Sequence, residues 1–286
     1  MNEKFALDPT ACRNALELKY LLEKFGLAQG RFLVEYPAKW RKLLYQHIDT
    51  FPPVEQQKAK RFVEKARERG MLSCGLPFDA NQPWMSNAIA QKRQGQLTQV
   101  IGEAPPDALA TADIDDDVLG DSRGARVPAT AAALVGVAQP LLDVSGEVVL
   151  IDPYFSLAYP KCLKVLRGMI AAVGQRPVRF VVFARDEHFS SKTPPRTIAE
   201  RELLPVMQPG QELVCFALND NRNMHARYLL SLKGALKYDK GFQEEPDAMV
   251  DIETVSQPVH EEYVRLFIEG EHGHHVVEHF EIKASG

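Results

Sequence analysis

Two short, almost uninterrupted apolar runs constrain the fold of this chain more than any other feature. Residues 147–151 and 178–184 each have the length of a strand, and residues 160–173 between them have helical periodicity. A strand without polar alternation is buried on both faces, as in a parallel sheet that is covered by helices. The sequence therefore predicts a β-α-β unit at the centre of an alternating α/β region.

The alternation extends over residues 128–286. Further strands are predicted at 212–217, 225–232, 235–238 and 276–282, and further helices at 129–142, 198–206 and 259–268. We therefore predict a mixed sheet flanked by helices for this half, so that the chain as a whole belongs to the α+β or α/β class.

Residues 1–102 are predicted to form a basic, all-helical domain. Helical stripes run over 9–25, 37–47, 54–69 and around 84–97, with prolines near their starts and glycines at two of their ends. Residues 1–98 contain 16 Lys and Arg against 10 Asp and Glu, a net charge of +6 that leaves −10 for the remainder. On the third stripe four cations share one helical face and predict a surface for nucleic acid or an acidic protein, the alternative being a solvated face: Lys58, Arg61, Lys65 and Arg69.

Between the two halves, residues 103–127 are rich in Ala, Asp, Gly and Pro and are predicted to be an acidic linker. The aspartates at 113–117 lack the glycine and the closing glutamate of a calcium loop, so we expect neither metal nor cofactor. The four cysteines are scattered and predict no disulfide framework. No apolar run approaches the roughly 18 residues that span a bilayer, and the first residues do not resemble a signal peptide, so a cytoplasmic location is expected.

Polar side chains follow several of the predicted strands. Asp152 and Tyr154 come after the first, Arg185 after the second, and His225 and Arg227 lie two apart at the start of the fourth. Ligands of open α/β sheets collect at the carboxyl ends of the strands, and an imidazole and a guanidinium on one face can converge on a phosphate. We therefore predict that these five residues form a phosphate-ester site. The alternative is that the last two only hydrogen-bond loop carbonyls.

These motifs resemble one half of the phospholipase D superfamily. The resemblance rests on Asp152-Pro153-Tyr154 after a strand, and on His225-Ala226-Arg227-Tyr228 followed by Gly241-Phe242, and it covers residues 130–286. It is closest to the degenerate, single-motif branch found at the C-terminus of MIT-domain proteins and in bacterial conflict-system proteins. The resemblance implies that His225 is the nucleophile or general acid and that Arg227 replaces the phosphate-binding lysine. Leu232 stands where the family has aspartate, which implies a catalytically degenerate domain.

The function expected from the resemblance is phosphate-ester binding within a larger assembly. Protein subunits are the expected partners and nucleic acid a further one, with bacterial antiviral defence as the setting. Whether the chain is an enzyme stays open, because a metal-independent nuclease or phosphodiesterase acting through His225 in a homodimer is the first alternative. An anionic-lipid-binding module is the second, although the acidic C-terminal half opposes it. A structural adaptor is the third.

Four histidines near the C-terminus could suggest zinc. Alternation along a strand would put His275 and His279 on one face and His274 on the other, which separates the ligands of a shared site. We therefore interpret them as polar positions that flank a strand.

Overall fold

The computed structural model describes residues 3–103, 107–120, 123–189, 191–219 and 227–285. The chain divides into two compact units, Met1–Arg123 (unit 1) and Gly124–Gly286 (unit 2). The division falls inside the segment 103–127. Among the described residues, no helix has both the length and the apolar character required to cross a bilayer.

Unit 1 is built around a parallel sheet, so the prediction that residues 1–102 are all helical is wrong. The four strands lie in the order β3-β2-β1-β4, and every strand pair is parallel. The strands are β1 (Glu3–Leu7), β2 (Arg31–Glu35), β3 (Leu72–Ser73) and β4 (Gln99–Ile101), and the helices are α1 (Ala15–Glu23), α2 (Trp40–Ile48), α3 (Pro53–Glu68), α4 (Trp84–Arg93) and α5 (Asp116–Leu119).

The predicted helical stripes of unit 1 do form helices, and their apolar faces share one core with the sheet. Leu18 and Leu22 of α1 and Leu44 of α2 lie in the same buried cluster as Phe5 of β1. The indole of Trp40 is buried and donates a hydrogen bond to the Leu7 carbonyl at 2.6 Å. Helix faces with apolar residues at spacings of three and four need such a partner surface, and here the sheet provides it.

The acidic segment is folded into the two units and is not a linker. Ile114 and Leu119 are buried in the core of unit 1, and Lys24 of α1 forms an ion pair with Asp116 at 2.9 Å. The segment's last residues begin β5 (Gly124–Ala129), an edge strand of the second sheet. The burial of Ile114 and Leu119, together with the ion pair of Asp116, stabilises the folded conformation of a segment whose other residues are mostly small and polar.

Unit 2 is a mixed sheet of eight strands with helices, and the predicted α/β class is confirmed. The strand order is β12-β8-β7-β6-β9-β10-β11-β5. The strands after β5 are β6 (Glu147–Ile151), β7 (Arg179–Arg185), β8 (Glu212–Asn219), β9 (Tyr228–Ser231), β10 (Gly234–Tyr238), β11 (Glu245–Thr254) and β12 (His275–Lys283). The helices are α6 (Ala131–Val144), α7 (Pro160–Ala172), α8 (Asp186–Phe189), α9 (Pro195–Glu202) and α10 (Gln257–Tyr263), the last continued by a π-helical turn, Val264–Ile268.

The register around β6 decides which side chains can meet. β6, β7 and β8 are parallel to one another, whereas β9 runs antiparallel to β6. Ile151, the last residue of β6, is paired with Phe183 on one side and with Tyr228 on the other. The residues after β6 and β7 and the residue before β9 therefore lie at one edge of the sheet.

Candidate functional site

The candidate site lies at this edge, where three neighbouring strands end or begin. The amide of Asp152 donates a hydrogen bond to the Phe183 carbonyl at 3.0 Å, and the amide of Arg185 donates to the Pro153 carbonyl at 3.2 Å. These bonds extend the pairing of β6 with β7 past the strand ends. On the other side of β6, Arg227 precedes β9 and lies next to Asp152 because Ile151 is paired with Tyr228.

One aromatic ring organises the charged side chains. The ring of Tyr154, which is 40% exposed, lies 5.0 Å from the guanidinium carbon of Arg227 and 5.5 Å from that of Arg185. The imidazole of His188, from α8, lies 5.3 Å from the same ring. We call these four side chains the Tyr154 cluster. Two permanent cations stacked on one tyrosine make a compact positive surface.

Beneath the Tyr154 cluster, a buried carboxylate holds the local backbone in place. Asp152 is 4% exposed, and its two oxygens accept hydrogen bonds from the amides of Tyr154 at 2.9 Å and Phe242 at 3.0 Å. Its Oδ1 also lies 3.8 Å from Nε of Arg227. Burial raises the pKa of Asp152, and this effect outweighs the opposing influence of the two amides and the guanidinium.

Arg227 is held on two sides. Its Nη1 donates a hydrogen bond to the Asp239 carbonyl at 2.7 Å, while Nε faces the carboxylate of Asp152. Nη2 makes no hydrogen bond within the described ranges. The guanidinium is therefore fixed in position and retains donor capacity for a ligand.

Gly241 allows the chain to pass close to these groups. It has a φ of +81°, and a Cβ at this position would overlap Oδ2 of Asp152 and lie 2.8 Å from Cδ of Arg227. The following residue, Phe242, is fully buried against the Tyr238 ring, at 4.5 Å between centroids. Only glycine combines this backbone conformation with this lack of space.

An exposed carboxylate faces the Tyr154 cluster from α8. Oε1 of Glu187 lies 3.5 Å from Nη1 of Arg185 and 3.4 Å from Nε2 of His188, and its side chain is 61% exposed. A carboxylate oxygen between a guanidinium and an imidazole marks a position that an oxyanion can occupy.

The structure brings together four of the five residues predicted to bind phosphate. Asp152, Tyr154, Arg185 and Arg227 meet at one edge of the sheet. His225 lies outside the described residues. The buried carboxylate of Asp152 has both oxygens occupied and would repel an anion, so we assign it to holding Arg227 and the backbone rather than to phosphate.

Two contributions to the site were missed from the sequence. Nothing in the sequence pattern singled out Glu187, and the Asp239 carbonyl could not be recognised as an acceptor before the hairpin geometry was known. Gly241, two residues after Asp239, was the one signal in the sequence that the chain turns sharply at this point. Leu232 is 65% exposed in the turn between β9 and β10, at the opposite end of β9 from Arg227.

The C-terminal histidines contact aromatic rings. His272 lies 5.7 Å from Phe267 and 5.4 Å from His274, and His279 lies 5.9 Å from Phe216. Burial and the neighbouring His274 lower the pKa of His272. In the part of the chain that the structure describes, no three His, Cys, Asp or Glu side chains are grouped so as to hold a metal ion.

Neither a protein-family model nor a curated protein sequence matches this chain. The solved structures similar to it include a phospholipase D family member, Nuc from Salmonella typhimurium, at 9% identity and a TM-score of 0.38, covering 54% of this chain and 97% of Nuc. TrmBL2, an archaeal chromatin protein, has 13% identity and a TM-score of 0.30, covering 77% and 70%. Polyphosphate kinase from Porphyromonas gingivalis has 10% identity and a TM-score of 0.31, covering 93% and 45%. Similarity at this level assigns neither activity nor ligand, so the ligand has to be inferred from the side chains themselves.

Proposed function

We propose that unit 2 binds a phosphate ester at the Tyr154 cluster. The observation that carries this proposal is the convergence of two guanidinium groups, from the ends of different strands, within 5.0 and 5.5 Å of one partly exposed tyrosine ring. Arg227 faces the buried Asp152 and Arg185 faces the exposed Glu187, so a phosphate that replaces Glu187 beside the ring would gain charge-assisted contacts. Guanidinium groups also match the geometry of phosphate oxygens, because their donors lie in one plane.

The positioning of Arg227 supports the same ligand. Its Nε and Nη1 are directed to Asp152 and Asp239, which leaves Nη2 to bind a phosphate oxygen. A side chain that is already held loses little conformational entropy when a ligand binds, and this favours affinity. Glu187 occupies a position near Arg185 that the ligand would take over.

The resemblance of residues 130–286 to the phospholipase D superfamily suggests that the ester is a phosphodiester. The roles of His225 as nucleophile or acid, the degenerate status of the motif, the homodimer and the place in a defence assembly stay predictions. All of them depend on residues or partners beyond the described site.

A binding experiment with a small diester tests the proposal. Calorimetric titration with bis(p-nitrophenyl) phosphate in EDTA should show binding that R185Q weakens about tenfold or more, because a charge-assisted hydrogen bond is worth about 1.5–3 kcal/mol. R179Q is the matched control, since Arg179 begins the same strand at the opposite edge and pairs with Glu147 and Glu212. Its affinity should equal that of the wild type.

Further variants separate charge from geometry. R227K retains the positive charge but loses the planar fork, so we expect an affinity between those of the wild type and R227Q. Unchanged affinity in folded R185Q and R227Q would show that the proposal is wrong. The same reagent reports hydrolysis by the release of p-nitrophenolate, and turnover that is lost in H225A would add an enzymatic activity to the binding site.

A further inference from the structure

The cations of α3 fall into two groups, and ion pairing in the structure divides them as helical spacing predicts. Lys60 forms an ion pair with Asp49 at 2.7 Å, and Arg67 forms one with Glu64 at 2.6 Å. Four other cations, in α3 and at the residue that caps it, are exposed and form no ion pair with any residue that the structure describes. We call them the α3 stripe: Lys58, Arg61, Lys65 and Arg69.

Helix geometry places the α3 stripe on one continuous surface. Its members follow one another at spacings of three and four residues, so they lie on one face. The buried residues Ala59, Val63 and Ala66 hold another face of the helix against the core of unit 1. With a rise of about 1.5 Å per residue, the stripe is about 16 Å long.

The described acidic residues of unit 1 that form ion pairs do so with cations outside the α3 stripe. Residues 1–123 contain 17 Lys and Arg and 17 Asp and Glu, so the unit as a whole has no formal net charge. The acidic segment pairs with other helices, through Asp116 with Lys24 of α1 and through Asp107 with Arg93 of α4. The α3 stripe is therefore a local excess of positive charge, with four cations that form no ion pair with a described residue and one carboxylate, Glu68, beside them on the helix.

We propose that the α3 stripe binds the phosphate backbone of a nucleic acid. Its length of about 16 Å corresponds to about five base-pair steps of 3.4 Å along the axis of a duplex, so its four cations lie along a stretch that carries several phosphates. This surface lies in unit 1, and its function does not depend on the Tyr154 cluster.

An acidic protein fits the α3 stripe less well. Protein interfaces have an apolar centre, often aromatic, and lysine is depleted there. Among the described residues of α3, Val54 is the one large hydrophobic side chain that is exposed, and it lies near the start of the helix. A surface that is made of regularly spaced charges without such a centre matches a uniformly charged polymer.

Salt dependence of binding by the full chain tests this inference. Fluorescence anisotropy with a labelled 20-base-pair DNA, from about 50 to 200 mM KCl, should give a slope of log K against log salt of about −3.6, or about −0.9 for each of four phosphates. R61Q/K65Q should reduce the magnitude of this slope by about 1.8. The matched control, K60Q/R67Q, removes one lysine and one arginine from the same helix and should leave the slope unchanged. Glutamine has a helix propensity close to that of both replaced residues, and circular dichroism checks that α3 is retained.

Two further measurements make the outcome decisive. Both double variants are repeated in an R185Q background, so that a slope change that persists there belongs to α3 and not to the Tyr154 cluster. Equal slopes for R61Q/K65Q and K60Q/R67Q, or no DNA binding at the lowest salt, would overturn the inference. Binding of polyglutamate that depends on Arg61 and Lys65, with no such dependence for DNA, would also overturn it and identify the partner as an acidic protein.

Discussion

Replacing Gly241 by alanine should damage unit 2 through one identifiable contact. The new Cβ would overlap Oδ2 of Asp152 and lie 2.8 Å from Cδ of Arg227. Asp152 cannot move aside easily, because it is buried and both of its oxygens accept backbone hydrogen bonds. The turn around residue 241 must therefore shift, and the hydrogen bond from the Phe242 amide to Asp152 is the bond that this shift breaks.

A second glycine with almost the same backbone conformation provides the control. Gly270 has a φ of +86°, compared with +81° for Gly241, but a Cβ at Gly270 would meet nothing within 4 Å. Alanine in a left-handed conformation costs about 1–2 kcal/mol at either position. At Gly241 the loss of a hydrogen bond to a charged group costs about 1.5–3 kcal/mol more. We expect G241A to lower the free energy of unfolding by about 2.5–5 kcal/mol in total, and G270A by about 1–2 kcal/mol.

Urea denaturation followed by far-UV circular dichroism measures both losses. Tryptophan emission is followed in parallel, because Trp40 and Trp84 are the chain's two tryptophans and both lie in unit 1. A shift in the circular dichroism transition without a shift in emission locates the damage in unit 2. If G241A and G270A lower the free energy of unfolding equally, within about 0.5 kcal/mol, the contact with Asp152 does not constrain the turn and the reasoning is refuted.

Three further predictions follow from single contacts. E187Q removes the negative charge beside Arg185 and His188. Because an exposed ion pair is worth little, calorimetry should show bis(p-nitrophenyl) phosphate binding about two- to fivefold more tightly to this variant. Weaker binding would contradict this prediction. The raised pKa of Asp152 means that the folded state keeps this proton to higher pH than the unfolded state. The free energy of unfolding should therefore fall as the pH rises from the usual carboxyl range through the pKa of Asp152 in the folded state. In that pH range the urea midpoint of the wild type should fall relative to that of D152N. Parallel pH profiles of the two proteins would contradict this prediction. T130A removes the N-cap of α6 and should cost about 1 kcal/mol in urea denaturation, whereas T130S should restore it.

The central strands of unit 2 were predictable because their signal is local. β6 and β7 lie within one residue of the predicted boundaries, since continuous apolar runs leave few alternatives to a strand that is buried on both faces. The edge strand β5 was missed for the opposite reason. It has few large apolar residues and contains a glycine and a proline, and its pairing with β11 supplies the order that its own sequence does not indicate.

The sheet of unit 1 was missed because its strands are short and because β1 and β2 have charged residues at their ends. β2 is buried along its whole length, yet it begins with Arg31 and ends with Glu35. Arg31 donates a hydrogen bond to the Gly120 carbonyl, and Glu35 pairs with Arg41 at 2.8 Å. Buried charges with such partners are stable in the folded chain, but in the sequence they resemble surface positions.

The charge asymmetry of the sequence was informative, although the predicted linker was wrong. A basic N-terminal stretch followed by an acidic segment indicates that the two can form ion pairs with each other. The pairs of Lys24 with Asp116 and of Arg93 with Asp107 are of this kind. Which cations remain without an ion pair depends on the fold. On α3 the ion pairs involve Lys60 and Arg67, so the four cations that helical spacing had placed on one face are the ones without an ion pair among the described residues.

The site itself depends on strand order, which no local pattern contains. β6 lies between β7 and β9, so the tyrosine that follows β6 has a neighbour on each side. Arg185 comes from the carboxyl end of a parallel strand and Arg227 from the start of an antiparallel one, and both reach the same edge only because β9 runs in the opposite direction. A shift of one residue in the pairing of β6 with β9 would turn Arg227 to the other face of the sheet. The contact of Tyr154 with both arginines is therefore a property of the sheet: the sequence placed these residues in one site but could not show that the two arginines share one ring.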